Sequence, residues 1–215
     1  MCRPTSIIVR ASEIRAAQGQ LLGNEPQLLD GAVSRRQHEI IGGRVLARRA
    51  MVELGYPAQA VGQQPNGAPI WPSGLCGSIA HSHVDVVVAL ASSAEIRSVG
   101  IDIDDGRNLG AAIHQAGRPE EVQALLAHPL AGDNEGAARL LFSAKEALFK
   151  CQSPVTHNDS LGLRDVRLRS STGGCITAVA EAVVDNDVAA IVANIRIIIE
   201  IIQGVTIALA WIEME

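Results

Sequence analysis

Along these 215 residues the order helix then strands occurs twice, which predicts a chain of mixed helices and strands in two similar halves meeting near residue 105. Two further observations anchor that reading. Val84 to Ala91 is an apolar run with β-branched residues, too short for a helix, so it reads as a buried strand. Val99, Ile101 and Ile103 alternate with Gly100, Asp102 and Asp104. A period of two puts the apolar set on one face of a strand and both carboxylates on the other.

Residues 1 to 33 are weakly patterned, with Ile7 to Val9 readable as a strand and Gly23-Asn-Glu-Pro26 as a loop; no chemistry is assigned to them. Ser34 reads as the N-cap of a helix running to Leu54, since Ile40, Ile41, Val45, Ala47, Met51 and Leu54 recur at helical spacing before Gly55-Tyr-Pro57. Pro65-Asn-Gly-Ala-Pro69 and Trp71-Pro72 form a turn-rich loop, which Trp71 is expected to anchor on the core. After Asp105, Gly106-Arg-Asn reads as a turn and Arg118-Pro-Glu-Glu opens a helix that stops at His128-Pro129. A second helix is expected from about Glu135 to Gln152, ended by Ser153-Pro154. The last third reads as a β-meander of Val166 to Leu168, Ile176 to Val184, Ala190 to Ile202 and Val205 to Ile212, separated by Gly173-Gly174, Asp185-Asn-Asp187 and Gln203-Gly204.

With 47% apolar residues the chain can bury a substantial core. The net charge of −5 argues against a general polyanion binder, so nucleic acid is not an expected partner. Cys2, Cys76, Cys151 and Cys175 show no Cys-x-x-Cys spacing, and the start Met-Cys-Arg-Pro lacks an apolar stretch of signal-peptide length; a reducing cytosol is expected. Arg196 and Glu200 interrupt the apolar C-terminal region well before the ~20 residues of a membrane span, so it reads as strands.

Three features invite chemistry, and each has a plain alternative. Asp102 and Asp104 share one short face, an unfavourable arrangement unless the face is solvated as a turn or a hard cation such as Mg2+ sits there. Arg44 and Arg48 lie four apart on the basic side of the first helix, with Arg36 two turns before Arg44. Like charges at that spacing suit either a solvated face or a bound phosphate. In Gly77-Ser-Ile-Ala-His81-Ser the small residues allow close approach of a ligand, and His81 is able to donate to a phosphate oxygen or to serve as a structural group. His83 has the same two readings. Glu146 and Lys150, at i and i+4, read on their own as a surface ion pair worth ~0.3–0.5 kcal/mol.

Gly67-Ala-Pro69-Ile-Trp71-Pro72, Gly77-Ser-Ile-Ala-His81-Ser, Gly100-Ile-Asp-Ile-Asp104 and Phe142-Ser-Ala-Lys-Glu-Ala-Leu-Phe-Lys150, in that order, resemble the 4'-phosphopantetheinyl transferases of the enterobactin-synthase and surfactin-synthetase type. Arg35-Arg36-Gln-His-Glu39-Ile-Ile-Gly-Gly-Arg44-Val-Leu-Ala-Arg48 looks like that family's first basic motif. The match covers roughly Arg35 to Cys151.

The resemblance implies an α+β fold of two pseudosymmetric α/β halves, residues 1–105 and 106–215, with coenzyme A in the cleft between them. It implies Mg2+ held by Asp102 and Glu146 with Asp104 as third acid, and a 3'-phosphate bound by Arg36 and Arg44 with Arg48 beside them. Ser78 and His81 would contact a phosphate, and Lys150 the pyrophosphate. The implied reaction is attack of a carrier-protein serine on the β-phosphorus with 3',5'-ADP leaving, Glu146 being the candidate base. The implied partners are coenzyme A and apo carrier proteins of peptide-synthetase, polyketide or fatty-acid pathways, siderophore synthesis among them, met by a cytoplasmic monomer. The alternative is a non-catalytic relative that binds coenzyme A or a carrier as a regulatory or assembly partner. Asp104 stands where the family more often has Glu, Ala80 replaces a usual Ser or Thr, and Gln63 lies near where some members supply a basic residue.

Overall fold

The computed structural model of the chain describes residues 3–106, 117–158, 161–170, 175–181 and 184–214. It is built in four layers: a helix, a three-stranded sheet, a five-stranded sheet and a second layer of helices. The first sheet has the order β1-β5-β4, formed by Ile7–Glu13, Asp85–Ser92 and Leu75–His81. The second has the order β6-β10-β9-β8-β7, from Ile96–Asp104, Val205–Glu213, Arg196–Ile202, Ile176–Ala180 and Val166–Ser170. Helix α1 (Ser34–Glu53) covers the first sheet, and α3 (Asn134–Thr156) covers the second with α2 (Pro119–Leu125) and α4 (Asn186–Ala193) beside it. The α+β class and the two-part organisation expected from the sequence are both present.

This layering explains the unbroken apolar runs. Val86, Val88 and Leu90 of β5 pack on Leu46, Ala47, Ala50 and Met51 of α1, whereas Val87, Ala89 and Ala91 face Val99, Ile101, Leu209 and Trp211 of the second sheet. A strand buried on both faces has no polar side to show, so its sequence does not alternate. β10 is sandwiched likewise, with Ile207, Leu209 and Trp211 between the sheets and Ala208 and Ala210 under α3. On β6 the expected alternation is observed: Val99 and Ile101 are buried between the sheets, and the Gly100, Asp102 and Asp104 positions turn toward α3.

At Gly100 the helix touches the strand backbone. A Cβ there would lie 1.9 Å from the Ala147 carbonyl oxygen and 2.5 Å from the Cys151 amide nitrogen. Ser98 Oγ donates to the Cys151 carbonyl at 2.6 Å, one pleat further along. On the other side of α3, the buried Lys145 donates to Glu121 of α2 at 2.9 Å and to the Leu163 carbonyl, and Glu121 accepts from the Leu168 amide of β7. These contacts fix the rotation of α3, so adjacent residues part ways: Lys145 goes into the core and Glu146 turns away from it, half-buried.

Several boundaries differ from the sequence reading. Val33, not Ser34, flanks α1, because the Gln37 amide closes on the Val33 carbonyl at 3.1 Å and makes Ser34 the first helical residue. Pro154 does not end its helix. It removes a single helical bond in the last turn, where the Thr156 hydroxyl donates to the Gln152 carbonyl and His157, at φ 54, caps by donating to Ser153. Asp185-Asn-Asp187 is not a turn between strands. Asp185 accepts from the Asp187 and Val188 amides as an N-cap, and Val188 and Val192, four apart, bury one face of α4. The acidic strand, grouped by sequence with residues 1–105, pairs with β10 in the C-terminal sheet, Asp102 opposite Ala208 and Asp104 opposite Thr206. The turns expected at Gly106-Arg-Asn and Gly173-Gly174 fall partly or wholly outside the described residues. No helix among the described residues is long and apolar enough to cross a membrane.

Candidate active site

A cleft of about 850 Å3 opens between the two halves. One wall is β4 and the loop leading into it, including Trp71, Ser78 and His81; the other is the C-terminal half of α3, with Glu146, Phe149 and Lys150; Arg36 of α1 closes one side. The small β2–β3 hairpin, Gly62–Gln63 and Pro69–Ile70, forms its lip. Trp71 anchors this lip as expected, its Nε1 donating to the Gly77 carbonyl at 2.8 Å. Cys76 also lines the cleft, but burial pushes its thiol up to about 12, so it is no nucleophile at neutral pH.

The close contact at Gly100 brings the acidic strand and the Lys-Glu helix together. Lys150 Nζ donates to Asp102 Oδ1 at 2.6 Å and to the Ile101 carbonyl at 3.1 Å. The surface ion pair expected between Lys150 and Glu146 is therefore replaced by one across two elements. Burial raises the pKa of Glu146, Asp102 adds to the rise and Lys150 opposes it, so two carboxylates compete for one ammonium. Asp104 is held elsewhere: its Oδ1 accepts from Arg139 Nε at 3.2 Å and from the Gly106 amide at 3.0 Å.

For a hard divalent cation, the donor type fits at Asp102 and Glu146: both offer carboxylate oxygens, and burial disfavours the charged form of Glu146, a cost that a bound cation would offset. Asp104 fits less well, since Arg139 already neutralises it. Among the described residues no three His, Cys, Asp or Glu side chains converge as a metal cluster.

The three arginines of α1 separate. Arg36 lines the cleft, its Nη1 donating to Glu39 Oε2 at 3.1 Å and lying 2.7 Å from His81 Nε2. Arg44 is 5% exposed and donates to the carbonyls of Val61 and Gly62, both at 3.2 Å; burial lowers its pKa, with Glu25 opposing. Arg48 grips the fully buried Glu25 with two bonds of 2.9 and 2.7 Å from Nη1. Glu25 Oε1 in turn accepts from the Val61 amide at 2.8 Å. Arg44 and Arg48 thus fix residues 61–62 at the root of the hairpin and do not line the cleft. The solvated-face reading of this helix fails for Arg44 and Arg48, which are buried, and of the three arginines Arg36 is the one on the cleft wall.

Sequence reasoning missed two residues. Glu25 lies in a segment to which no chemistry was assigned, and nothing local marks it as buried. Glu39 was visible, three and four residues after Arg36 and Arg35, but a carboxylate at that spacing ordinarily reads as a surface partner.

Residues 24–92 match the family model described as the 4'-phosphopantetheinyl transferase N-terminal domain, and residues 98–191 match that of the 4'-phosphopantetheinyl transferase superfamily. The chain is 37% identical over 133 residues to 4'-phosphopantetheinyl transferase Npt of Nocardia iowensis, covering 61% of this chain and 59% of that protein. It is 30% identical over 161 residues to 4'-phosphopantetheinyl transferase PptT of Mycobacterium tuberculosis, covering 70% and 66%. Enterobactin synthase component D of Salmonella typhimurium is 34% identical over 132 residues, covering 58% of this chain and 52% of that protein. The matched stretches span between about half and two thirds of these relatives.

Proposed function

The chain belongs to the 4'-phosphopantetheinyl transferase superfamily, and from that premise we propose that it transfers the 4'-phosphopantetheine group of coenzyme A to a serine of an apo carrier protein, releasing 3',5'-ADP. The observation that carries the proposal is convergence. Arg36 of α1, His81 of β4, and Glu146 and Lys150 of α3 line one cleft, and Lys150 is bound in turn to Asp102 of β6.

In this reading Arg36 and His81 receive the 3'-phosphate of the donor, a planar guanidinium and a ring N–H being suited to phosphate oxygens. Ser78 lies along the same wall. Arg44 and Arg48 act indirectly by holding the hairpin lip. Lys150 faces the pyrophosphate and offsets charge that grows on the leaving oxygen as the β-phosphorus is attacked. Glu146, on the cleft wall, takes the serine proton. Asp102 and Glu146 are the residues that would hold Mg2+, which supplies neutralisation of the phosphate oxygens when bound.

The carrier class follows the relatives: enterobactin synthase component D points first to a carrier domain of a peptide synthetase making a siderophore. The test is incubation with coenzyme A, Mg2+ and a panel of apo carriers, read by mass spectrometry. A phosphopantetheine adduct on the carrier serine is expected. Coenzyme A binding with no adduct on any carrier overturns transfer in favour of binding alone.

A further inference from the structure

Glu39 takes no part in the reaction described above, yet both of its oxygens are committed. Its side chain is 6% exposed, while those of Arg35, Arg36 and His81 around it are 53%, 40% and 34% exposed. Oε1 accepts from Arg35 Nε at 3.0 Å; Oε2 accepts from Arg36 Nη1 at 3.1 Å and lies 3.5 Å from His81 Nε2. Arg36 Nη1 is itself 2.7 Å from His81 Nε2. A guanidinium has no acceptor, so at that distance Nε2 accepts and the imidazole is neutral, its proton on Nδ1.

This arrangement does not serve the helix. Val33 flanks α1, so Arg35 and Arg36 sit in its first turn, where the aligned N–H groups disfavour cations. Each arginine also precedes Glu39 in the chain, the weaker order for an intrahelical pair. His81 comes from β4, so Glu39 joins two elements at the edge of the cleft.

We infer that Glu39 is a positioning residue: it holds the Arg36 guanidinium and the His81 imidazole side by side as one receiver for a phosphate, and its charge lets His81 take up a proton when that phosphate arrives. The inference rests on the donor's phosphate entering this cleft, as proposed above. A phosphate oxygen needs donors, and Nε2 in its accepting state offers none. The phosphate therefore takes over the Arg36 N–H, a proton from solvent adds to Nε2, and the resulting N–H donates to the phosphate. Burial, Arg36, Lys150 and Arg35 all hold the His81 pKa down in the ligand-free chain, and Glu39 is the group that opposes them. The incoming phosphate adds its charge to that of Glu39.

The test uses the full chain with adenosine 3',5'-bisphosphate as probe. Calorimetry in two buffers of different ionisation heat is expected to show proton uptake on binding near neutral pH. NMR titration is expected to show the His81 pKa rising in the complex. Glu39→Gln keeps the shape and removes the charge; with its fold checked by circular dichroism, it should lower the free His81 pKa, weaken the probe at least tenfold and abolish the uptake. Glu39→Asp should recover part of the affinity. A folded Glu39→Gln variant with unchanged affinity and unchanged His81 titration overturns the inference, as does wild-type binding with no proton uptake. Should Glu39→Gln fail to fold, the uptake on wild type decides. Should the wild type not bind the bisphosphate, the proposed function fails at its donor, and the His81 titration in wild type and Glu39→Gln then decides the Glu39 link by itself.

Discussion

The Lys150 ammonium donates to Asp102 Oδ1 at 2.6 Å and to the Ile101 carbonyl at 3.1 Å, so a single cation ties the C-terminal half of α3 to β6. The Lys150 side chain is 32% exposed, which puts the pair in the range of ~0.2–1 kcal/mol for screened ion pairs. Its contribution to folding is therefore small, and its position on the cleft wall is what distinguishes it.

Lys150→Met is accordingly expected to lower kcat by ~100-fold or more while shifting the melting temperature by no more than a few degrees. Coenzyme A affinity should change less than kcat, because the charge that Lys150 offsets grows as the leaving oxygen departs. Lys150→Arg should restore part of the rate, since a planar fork does not place its charge where a compact ammonium did. Equal turnover by wild type and Lys150→Met at saturating carrier and Mg2+ would remove Lys150 from the chemistry.

Arg36 and Arg44 are expected to fail in different ways. Arg36→Ala should weaken coenzyme A by ~1.5–3 kcal/mol, the range for a charge-assisted bond, and leave dephospho-coenzyme A nearly unaffected. Arg44→Ala strips the Val61 and Gly62 carbonyls of their donors at a buried site, costing ~1–3 kcal/mol of folding stability, and it loosens the hairpin for both ligands alike. Calorimetric titration with the two coenzymes, beside a thermal melt, separates the two patterns. If Arg44→Ala discriminated the coenzymes as Arg36→Ala does, Arg44 would bind the phosphate directly.

That contrast shows how far the sequence reaches. The spacing of Arg36, Arg44 and Arg48 puts Arg44 and Arg48 on one face, but whether that face meets solvent or the protein depends on residues 20–25 and 61–62 packing over it. Such contacts join segments distant in the chain, and no local pattern encodes them. The β6 alternation was readable because a period of two needs no partner to be defined. Its pairing with β10 was not, since strand order is set by which faces bury together. Likewise α4 was hidden because Val188, Ile191 and Val192 suit a strand by propensity, whereas the Asp185 cap and the packing of these three residues in the core shared with α3 hold them helical.

Glu146 carries a pH signature. Its pKa is raised in the folded chain, first by burial and then by Asp102, above its ordinary value of 4.5. Between those two values the folded state binds more protons than the unfolded one, so this group's contribution to stability is fully present below 4.5 and is lost as pH rises through the folded value. Glu146→Gln should therefore melt at a higher temperature than wild type at about pH 7, with the difference closing toward about pH 4. Adding Mg2+ should raise the wild-type melting temperature and leave that of Glu146→Gln nearly unchanged. A gain independent of pH would mean that packing, not charge, is what the substitution altered.

The last prediction concerns the contact on which the site depends. At Gly100 an added Cβ would fall 1.9 Å from the Ala147 carbonyl oxygen and 2.5 Å from the Cys151 amide nitrogen, and both obstacles are helix backbone. No rotamer change relieves such a clash, so Gly100→Ala must lift α3 from β6 or fail to fold. The expected loss exceeds the ~1–3 kcal/mol of ordinary overpacking. Ser98→Ala serves as the control, since it removes the 2.6 Å bond to the Cys151 carbonyl without adding volume and should cost about 1 kcal/mol. Urea unfolding of the two variants ranks them. In any Gly100→Ala protein that remains folded, Lys150 can no longer reach Asp102, and transfer should fall by at least as much as in Lys150→Met. A Gly100→Ala variant as stable as wild type would mean that α3 does not lie on β6 at backbone distance.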